Sequence, residues 1–566
     1  MPWKRFLFPC LIRINSFIRC GGVWIKIMKD SLKKIINHIT KSNFPYTYLV
    51  IFTIAFGIFF YIQYTPAFPD PDSFYHMKMA LLIRDGNLGQ GFPWLSDYTI
   101  LGNAYTDQHL LYHVFLIPFV TLFTPAIGIK IATVFLGATL ITTFYWLLRK
   151  EKIRFAWFYS LLLLFVEPFT FRISLAKAPS VSIIFLLLVL WCLFRYRMKL
   201  LFILSTIFVW AYGGFLLTVV FAGLYGVVNT LFDLRKNKVT GLLKHYFGHE
   251  KSWVKKVLTG KELGMVLVSV AGIMVGLVIN PYFPNNLSYY WAQLVQIGIV
   301  NYQNIIGVGG EWYPYSVTEL VPNTVFLFLI LLAAFVIFFV TIKKQNSKSV
   351  TLLILTVFFL ALTLKSRRYV EYFVPFSMLF SAFALSPFLA KVSVTGMLKK
   401  IPSFYNSRKI IFTILLVYFV VTIPTIAIRD LKQERNSFKN GIPYNKFESA
   451  SNWLENNTPE GSIVLHSDWD EFPILFYHNS HNHYIVGLDP TFMYIHNEDL
   501  YWKWVNITIG KESSALYDII TKDFNNATVF LEKDHTAMDL NFQQDSHFKL
   551  VYEDAEAKIY QISDNQ

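Results

Sequence analysis

The sequence predicts a polytopic α-helical membrane protein, with about eleven transmembrane helices followed by a soluble C-terminal α/β domain. Three observations predict it. The 566 residues are 54% hydrophobic and only 15% charged, with a mean hydropathy of +0.43, too apolar for a soluble chain of this length. Apolar stretches long enough to cross a hydrocarbon core of about 30 Å recur along the chain. After Arg429 this character is lost, and Asp, Glu and Asn accumulate instead.

The apolar stretches fall near residues 45–64, 126–147, 155–171, 179–195, 199–212, 214–232, 264–281, 323–342, 349–365, 371–390 and 409–427. The one at 199 is the shortest, and that at 155 is also short. Basic residues mark the cytoplasmic loops: the lead-in before the first span, RKEKIR at 149–154, RYRMK at 195, the long loop from Leu234 to Lys261, KKQNSK at 343 and the loop 391–409. The stretch from Asn280 to Asn323 holds no lysine or arginine and threads to the outside. This divides the chain into a basic cytoplasmic segment 1–43, a membrane domain 44–428 with long outer loops 65–125 and 280–322, and an extracytoplasmic domain 429–566.

Other classes are excluded on the same grounds. The formal charge of +15 sits in short stretches between apolar runs rather than on one soluble face, which marks topology and not nucleic-acid binding. Cys10, Cys20 and Cys192 form no C-x-x-C pair, so neither a zinc site nor a disulfide framework is indicated. The N-terminus lacks an apolar region followed by a small-residue cleavage site. Met28 opens a more ordinary lead-in, and residues 1–27 are read as the product of a misplaced start codon.

The tail shows helix-like runs (NKFESASNWLENN, SSALYDIITKDF) between strand-like ones (GSIVLHS, HYIVGLD, ATVFLEK, AKIYQI), the pattern of a small α/β domain. There is no internal repeat.

Four segments carry residues that chemistry could use. In the first outer loop, FPDPDSFYHMKMALLIRDGNLG reads as an acidic turn and a short helix stopped by Gly86, with Phe74, Met77 and Leu81 on one face. Asp72 either caps that helix or, with Asp70, holds a hard divalent cation such as Mg²⁺ or Mn²⁺ or deprotonates an acceptor. In the second, Glu311 follows two glycines in GGEWYPYS and is either a solvated loop acid or a second carboxylate of that site. Lys365, Arg367 and Arg368 in LKSRRYVEYFVPF lie on the outer side, against the positive-inside preference. They either snorkel or bind an anionic head group, and Lys177 with Arg172 in FRISLAKAPS fits the second reading. In the tail, Asp468, Trp469 and Asp470 follow a strand, where loop residues can hold an acceptor. His478, His481 and His483 fit no standard zinc spacing.

Taken in order, these segments resemble the catalytic subunit of oligosaccharyltransferase, of the archaeal and bacterial type, a GT-C membrane glycosyltransferase. DPDSFYH resembles that family's first-loop D-x-D segment, with Asp72 in the matching place. Glu311 in EWYP resembles its loop glutamate, Arg368, seven residues before Pro375, its lipid-phosphate arginine, and DWDEFP its W-W-D-Y-G acceptor motif, with Trp469 and Asp470 matching. Two segments depart from the pattern. Where the family carries a second D-x-D, this chain reads SLAKAPSVS with Lys177 and no acid, and after Asp470 it has Glu471 and Phe472.

The resemblance implies a GT-C-like fold and transfer of a sugar or oligosaccharide from a polyprenyl phosphate or pyrophosphate to an extracytoplasmic protein, glycan or lipid acceptor. It implies Asp72 and Glu311 as catalytic carboxylates, Arg368, Lys177 and Arg367 at the donor phosphate, Trp469, Asp470 and Asp468 at the acceptor, and a divalent metal held by Asp70, Asp72 and Glu311. The alternatives are a transporter or flippase, which would place ionisable residues at the membrane midplane, and a non-catalytic GT-C relative.

Overall fold

Eighteen residues without a charge, Tyr46–Gln63, form the first long helix of the computed structural model, which describes residues 46–89, 91–240, 260–390, 421–526 and 528–563. The basic segment 1–43 with Cys10, Cys20 and Met28, residues 241–259 of the basic loop, the loop 391–409 and most of the expected span at 409–427 lie outside the described residues.

Among the described residues, six helices are long and apolar enough to cross a membrane: Tyr46–Gln63, Pro125–Lys150, Gly213–Asp233, Lys261–Val278, Ser347–Lys365 and Arg367–Leu389. Two bent pairs bring the number to eight: Ala156–Phe165 with Glu167–Ser174, bent by 78°, and Val317–Asn323 with Val325–Val340, bent by 83°. The expected spans at 179 and 199 are helices of 16 and 14 residues, Pro179–Phe194 and Met198–Ala211, short of the roughly 20 residues that a straight crossing takes. Leu110–Leu122, inside the expected first outer loop, is a further apolar helix.

Large apolar side chains face outward along these helices, among them Leu267 and Met274 on Lys261–Val278 and Leu332 and Phe339 on Val325–Val340. Hydrocarbon is the solvent that suits such rows, and the chain is a multi-pass membrane protein. Helix packing without a hydrophobic drive relies on close approach. At Gly272 and Gly276 an added Cβ would stand 2.6 Å from Phe202 O and 2.5 Å from Thr206 O, and that proximity lets Thr206 and Trp210 donate to the Gly272 and Gly276 carbonyls.

The tail folds around a five-stranded mixed sheet. Its strands are β3 (Ile463–Leu465), β4 (His483–Tyr484), β5 (Thr528–Glu532), β6 (Phe548–Glu553) and β7 (Ala557–Ile562), after a short pair β1 (Ala67–Phe68) and β2 (Ile442–Pro443). The spatial order is β4-β3-β5-β7-β6, with β3 parallel to both its neighbours and β7 antiparallel to β5 and β6. Loops leaving the carboxyl ends of adjacent parallel strands converge on one side of such a sheet. The loops after β3 and β4 are therefore neighbours, and both reach the cavity described below.

Residues 65–125, the expected first outer loop, are stitched to this domain. β1 pairs antiparallel with β2, Trp94 Nε1 donates to Ser480 O at 2.8 Å and Lys78 Nζ to Tyr477 O at 3.3 Å. The turn that precedes it is held from the membrane side. Lys130 Nζ donates to the carbonyls of Gln63, Thr65 and Ala67 at 3.1, 2.9 and 2.7 Å, satisfying groups that the end of helix Tyr46–Gln63 leaves unpaired. Asp70 and Asp72 leave this fixed turn in a defined direction.

Candidate functional site

Helix Asp72–Arg84 begins at Asp72, but Asp72 does not cap it. The Asp70 carboxylate takes that part, accepting from Ser73 N at 3.2 Å. Asp72 is left free to project into a cavity of about 1130 Å³ that lies between the membrane helices and the C-terminal domain.

The sequence-predicted residues meet there. Asp70, Asp72, Arg172, Lys177, Glu311, Lys365, Arg367, Arg368, Trp469 and Asp470 all line the cavity. Asp468, two residues before Asp470, does not line it. Glu311 reaches the cavity because its loop rests on the turn before Val370: Ser366 Oγ donates to Glu311 O at 2.8 Å and Arg367 N to Tyr313 O at 2.9 Å. The glycine pair before it leaves room for Trp469, whose ring would stand 3.4 Å from a Cβ at Gly309.

These side chains form one ionic network. Arg172 Nη1 contacts Glu311 Oε2 at 2.5 Å while its Nε and Nη2 reach Glu371 Oε2 at 3.0 and 2.9 Å. Arg368 Nη1 lies 3.4 Å from Glu311 Oε1, with its guanidinium 4.2 Å above the Trp312 ring. Lys177 Nζ stands 2.6 Å from Asp72 Oδ2 and 4.0 Å from both Asp70 Oδ1 and Glu311 Oε2. Burial alone would raise the Glu311 carboxyl, yet Arg172, Arg368 and Lys177 hold it well below the usual carboxylate range. For Lys177, burial disfavours the ammonium, but Asp70, Asp72 and Glu311 outweigh it and raise its pKa. The Asp70 carboxyl is raised by burial, which exceeds the opposing pull of Lys177.

Two walls of the cavity differ in character. Leu216, Leu217 and Val220 from one membrane helix and Phe358 and Leu362 from another form an apolar lane in a lining that also holds the cations Arg367 and Arg368. Arg367 Nε is buried without a hydrogen-bond partner. The loops after β3 and β4 bring Trp469, Asp470, Leu488 and Asp489. Glu471, where the resemblance departs, is internal: it accepts from Ser467 Oγ and from Asp468 N and so shapes the loop rather than facing the cavity.

Burial, followed by repulsion from Asp468 and Glu471, pushes the Asp470 carboxyl up to about 7. A carboxyl raised in the folded state binds more protons there than in the unfolded chain, so stability falls as pH rises through the interval between the two values. Asp470→Asn is therefore expected to melt above the unmodified protein at pH 8 and alongside it near pH 4, as read by thermal unfolding in detergent. An equal offset at both pH values would remove the titration as its cause.

Several residues in the cavity wall or packed behind it were not found from the sequence. Glu371 and Tyr212 join the arginines; a lone acid inside the apolar run YVEYFVPF was the available signal for the first. His76, His109 and His113 form a cluster in which one ring nitrogen from each lies within 4.8 Å of the others, a group that could hold a metal ion. His113 Nδ1 is 2.7 Å from Asp107 Oδ2, and its Nε2 is 2.7 Å from His76 Nδ1. Burial lowers both His76 and His109, the latter to about 3, which keeps the two rings neutral. The i, i+4 histidines of DQHLLYH were legible. His478, His481 and His483 go separate ways, His481 to Thr458 O and His483 towards Asp97.

No protein-family model and no curated protein sequence matches the chain. Solved structures do. The archaeal oligosaccharyltransferase AglB from Archaeoglobus fulgidus, in complex with an inhibitory peptide and a dolichol-phosphate, matches with a TM-score of 0.60 at 14% identity, over 92% of this chain and 75% of that one. The fold is GT-C-like. The oligosaccharyltransferase of the same organism in its apo form matches with a TM-score of 0.58 at 15% identity, over the same shares of the two chains. At this identity the likeness concerns the fold, and the expected GT-C-like architecture is the part of the resemblance it supports.

Proposed function

We propose that this chain is a GT-C glycosyltransferase that moves a sugar or oligosaccharide from a polyprenyl-linked phosphate or pyrophosphate to an acceptor outside the cytoplasm. The observation that carries the reading is the shared cavity in which Asp72 and Glu311 stand beside Arg368 and Lys177. The dolichol-phosphate held by the structural relative favours a donor of the same type. In this reading the membrane domain spans residues 44–428 and crosses about eleven times, the N-terminus is cytoplasmic, and the domain 429–566 is extracytoplasmic.

The polyprenyl chain lies in the apolar lane, placing its phosphate at Arg367 and Arg368. Trp469 and Asp470 hold the acceptor, with Asp468 shaping their loop. The acceptor heteroatom attacks the sugar's anomeric carbon and the bond from that carbon to the carrier oxygen breaks. The carrier leaves as a phosphate anion, and the acceptor's proton passes to Asp72. Arg368, Arg367 and Lys177 offset the charge on the departing phosphate, and Glu311 keeps Arg172 and Arg368 aligned.

The test is transfer by purified protein in lipid, with radiolabelled polyprenyl-linked sugar and a panel of peptide, glycan and lipid acceptors. Asp72→Asn and Arg368→Ala are each expected to lower turnover by roughly 10²-fold or more. Turnover that survives both changes would reject the site, and solute uptake into liposomes independent of lipid-linked sugar would favour transport.

A further inference from the structure

A divalent ion at Asp70, Asp72 and Glu311, which the resemblance implies, would meet a cation that the chain already supplies. Lys177 Nζ is 2.6 Å from Asp72 Oδ2 and within 4.0 Å of the other two acids. Mg²⁺ takes carboxylate oxygens at about 2.0–2.1 Å in a near-octahedral shell that keeps several waters. An ion at that distance from Asp72 Oδ2 would share the ammonium's own space and face its charge. The oxygens of Glu311 are taken as well, one by Arg172 and the other by Arg368. No aspartate or glutamate occurs between Glu167 and Asp233 to supply a further oxygen from the Lys177 side.

The lysine is fixed by its surroundings. Leu175, Ala176 and Ala178 around it are buried, Lys177 N donates to Leu175 O at 2.8 Å, and Pro179 opens the next helix. Gln63 at the end of the first long helix donates to Ser174 O. The same membrane helix that leads to Asp70 and Asp72 thus also anchors the turn that carries Lys177.

Resting on the transferase reading of this site, we infer that Lys177 is its resident cation and that the transfer runs with no divalent ion at Asp70, Asp72 and Glu311. The ammonium holds Asp72 in line and brings one positive charge with three donors to the place where the carrier phosphate departs. A phosphate oxygen can exchange for a carboxylate on the ammonium without the geometric demands of a metal shell.

Binding of Mn²⁺ to the full-length protein in lipid, followed by electron paramagnetic resonance after chelator treatment, tests this with neither donor nor acceptor present. The unmodified chain is expected to show no Mn²⁺ signal that depends on Asp72. Lys177→Met, which keeps the stem and removes the charge, is expected to bind Mn²⁺ at least roughly a hundredfold more tightly. Adding Asp72→Asn should abolish that gain, which separates this site from the histidine cluster.

Mn²⁺ bound by the unmodified chain and lost in Asp72→Asn would overturn the inference, and that comparison stands even if changes at position 177 prevent folding. A folded Lys177→Met that binds no more Mn²⁺ than the unmodified chain would overturn it too. Where transfer is measured, turnover is expected to stay within about twofold in excess EDTA, and a collapse restored by Mg²⁺ or Mn²⁺ would count against it. A chain with no transfer at all but the expected Mn²⁺ pattern would sink the transferase reading and leave the resident cation standing.

Discussion

Replacing Glu311 with glutamine is expected to lower turnover by roughly 10²- to 10³-fold and to destabilise the protein as well. The change is isosteric, so the effect is one of charge. Glu311 now receives Arg172 and Arg368 on its two oxygens and has Lys177 at 4.0 Å. With an amide there, the cations keep only Asp70, Asp72 and Glu371 as charged partners, and one of Arg172 and Arg368 is left facing an amide NH2 in a buried setting. Breaking a buried pair from one side costs about 3–5 kcal/mol. Donor binding is expected to move the other way. Arg368 is released from its acid, so KM for the lipid-linked donor holds or falls while kcat drops, a split that steady-state kinetics read directly. A glutamine variant with unchanged kcat and raised KM would mean that Glu311 serves binding alone.

Those acids and cations were visible in the sequence because they break a local rule. Arg367 and Arg368 contradict the positive-inside pattern, Glu311 interrupts an aromatic loop, and Lys177 stands in a stretch without acids. A charge where the solvent does not welcome it needs a partner, and the structure supplies those partners mutually. Local capping chemistry left the reading of Asp72 open between cap and site, since either acid of D-P-D can cap and only three-dimensional placement shows that Asp70 does. Glu371 escaped notice because one acid in an apolar run has no visible partner until Glu167–Ser174 is packed against it.

Fold class and the α/β character of the tail were likewise legible, the first from apolar run length and the second from alternation of periods. The number of spans was less so. Hydropathy does not distinguish a straight crossing from a helix bent by 78° at Val166, before Pro168, or from helices of 16 and 14 residues. Within the tail, β6 (FKLVYE) and the helix Phe472–His478 were missed. Alternation is blurred in the strand by its exposed Lys549 and Leu550, and the helix is only seven residues long, so neither sustains its period over enough residues to be read.

Arg172→Met is expected to cost the fold about 3–5 kcal/mol, together with loss of transfer. Its guanidinium provides both hydrogen bonds to Glu371 Oε2, and Glu371 is fully buried with its other oxygen already unpartnered. The methionine leaves that carboxylate to be protonated or to draw water into a packed helix interface, each at the expense of the fold. Adding Glu371→Leu should recover most of the loss, because exchanging both members of a buried pair for apolar groups of similar volume is often neutral or better. The double variant is still expected not to transfer sugar, since Glu311 has lost its closest partner and is held only by the longer contacts to Arg368 and Lys177. Thermal unfolding in detergent and the transfer assay, run on the two variants side by side, separate these roles. If the second change restores no stability, Glu371 is not what Arg172 holds in place, and the arginine's weight falls on Glu311 alone.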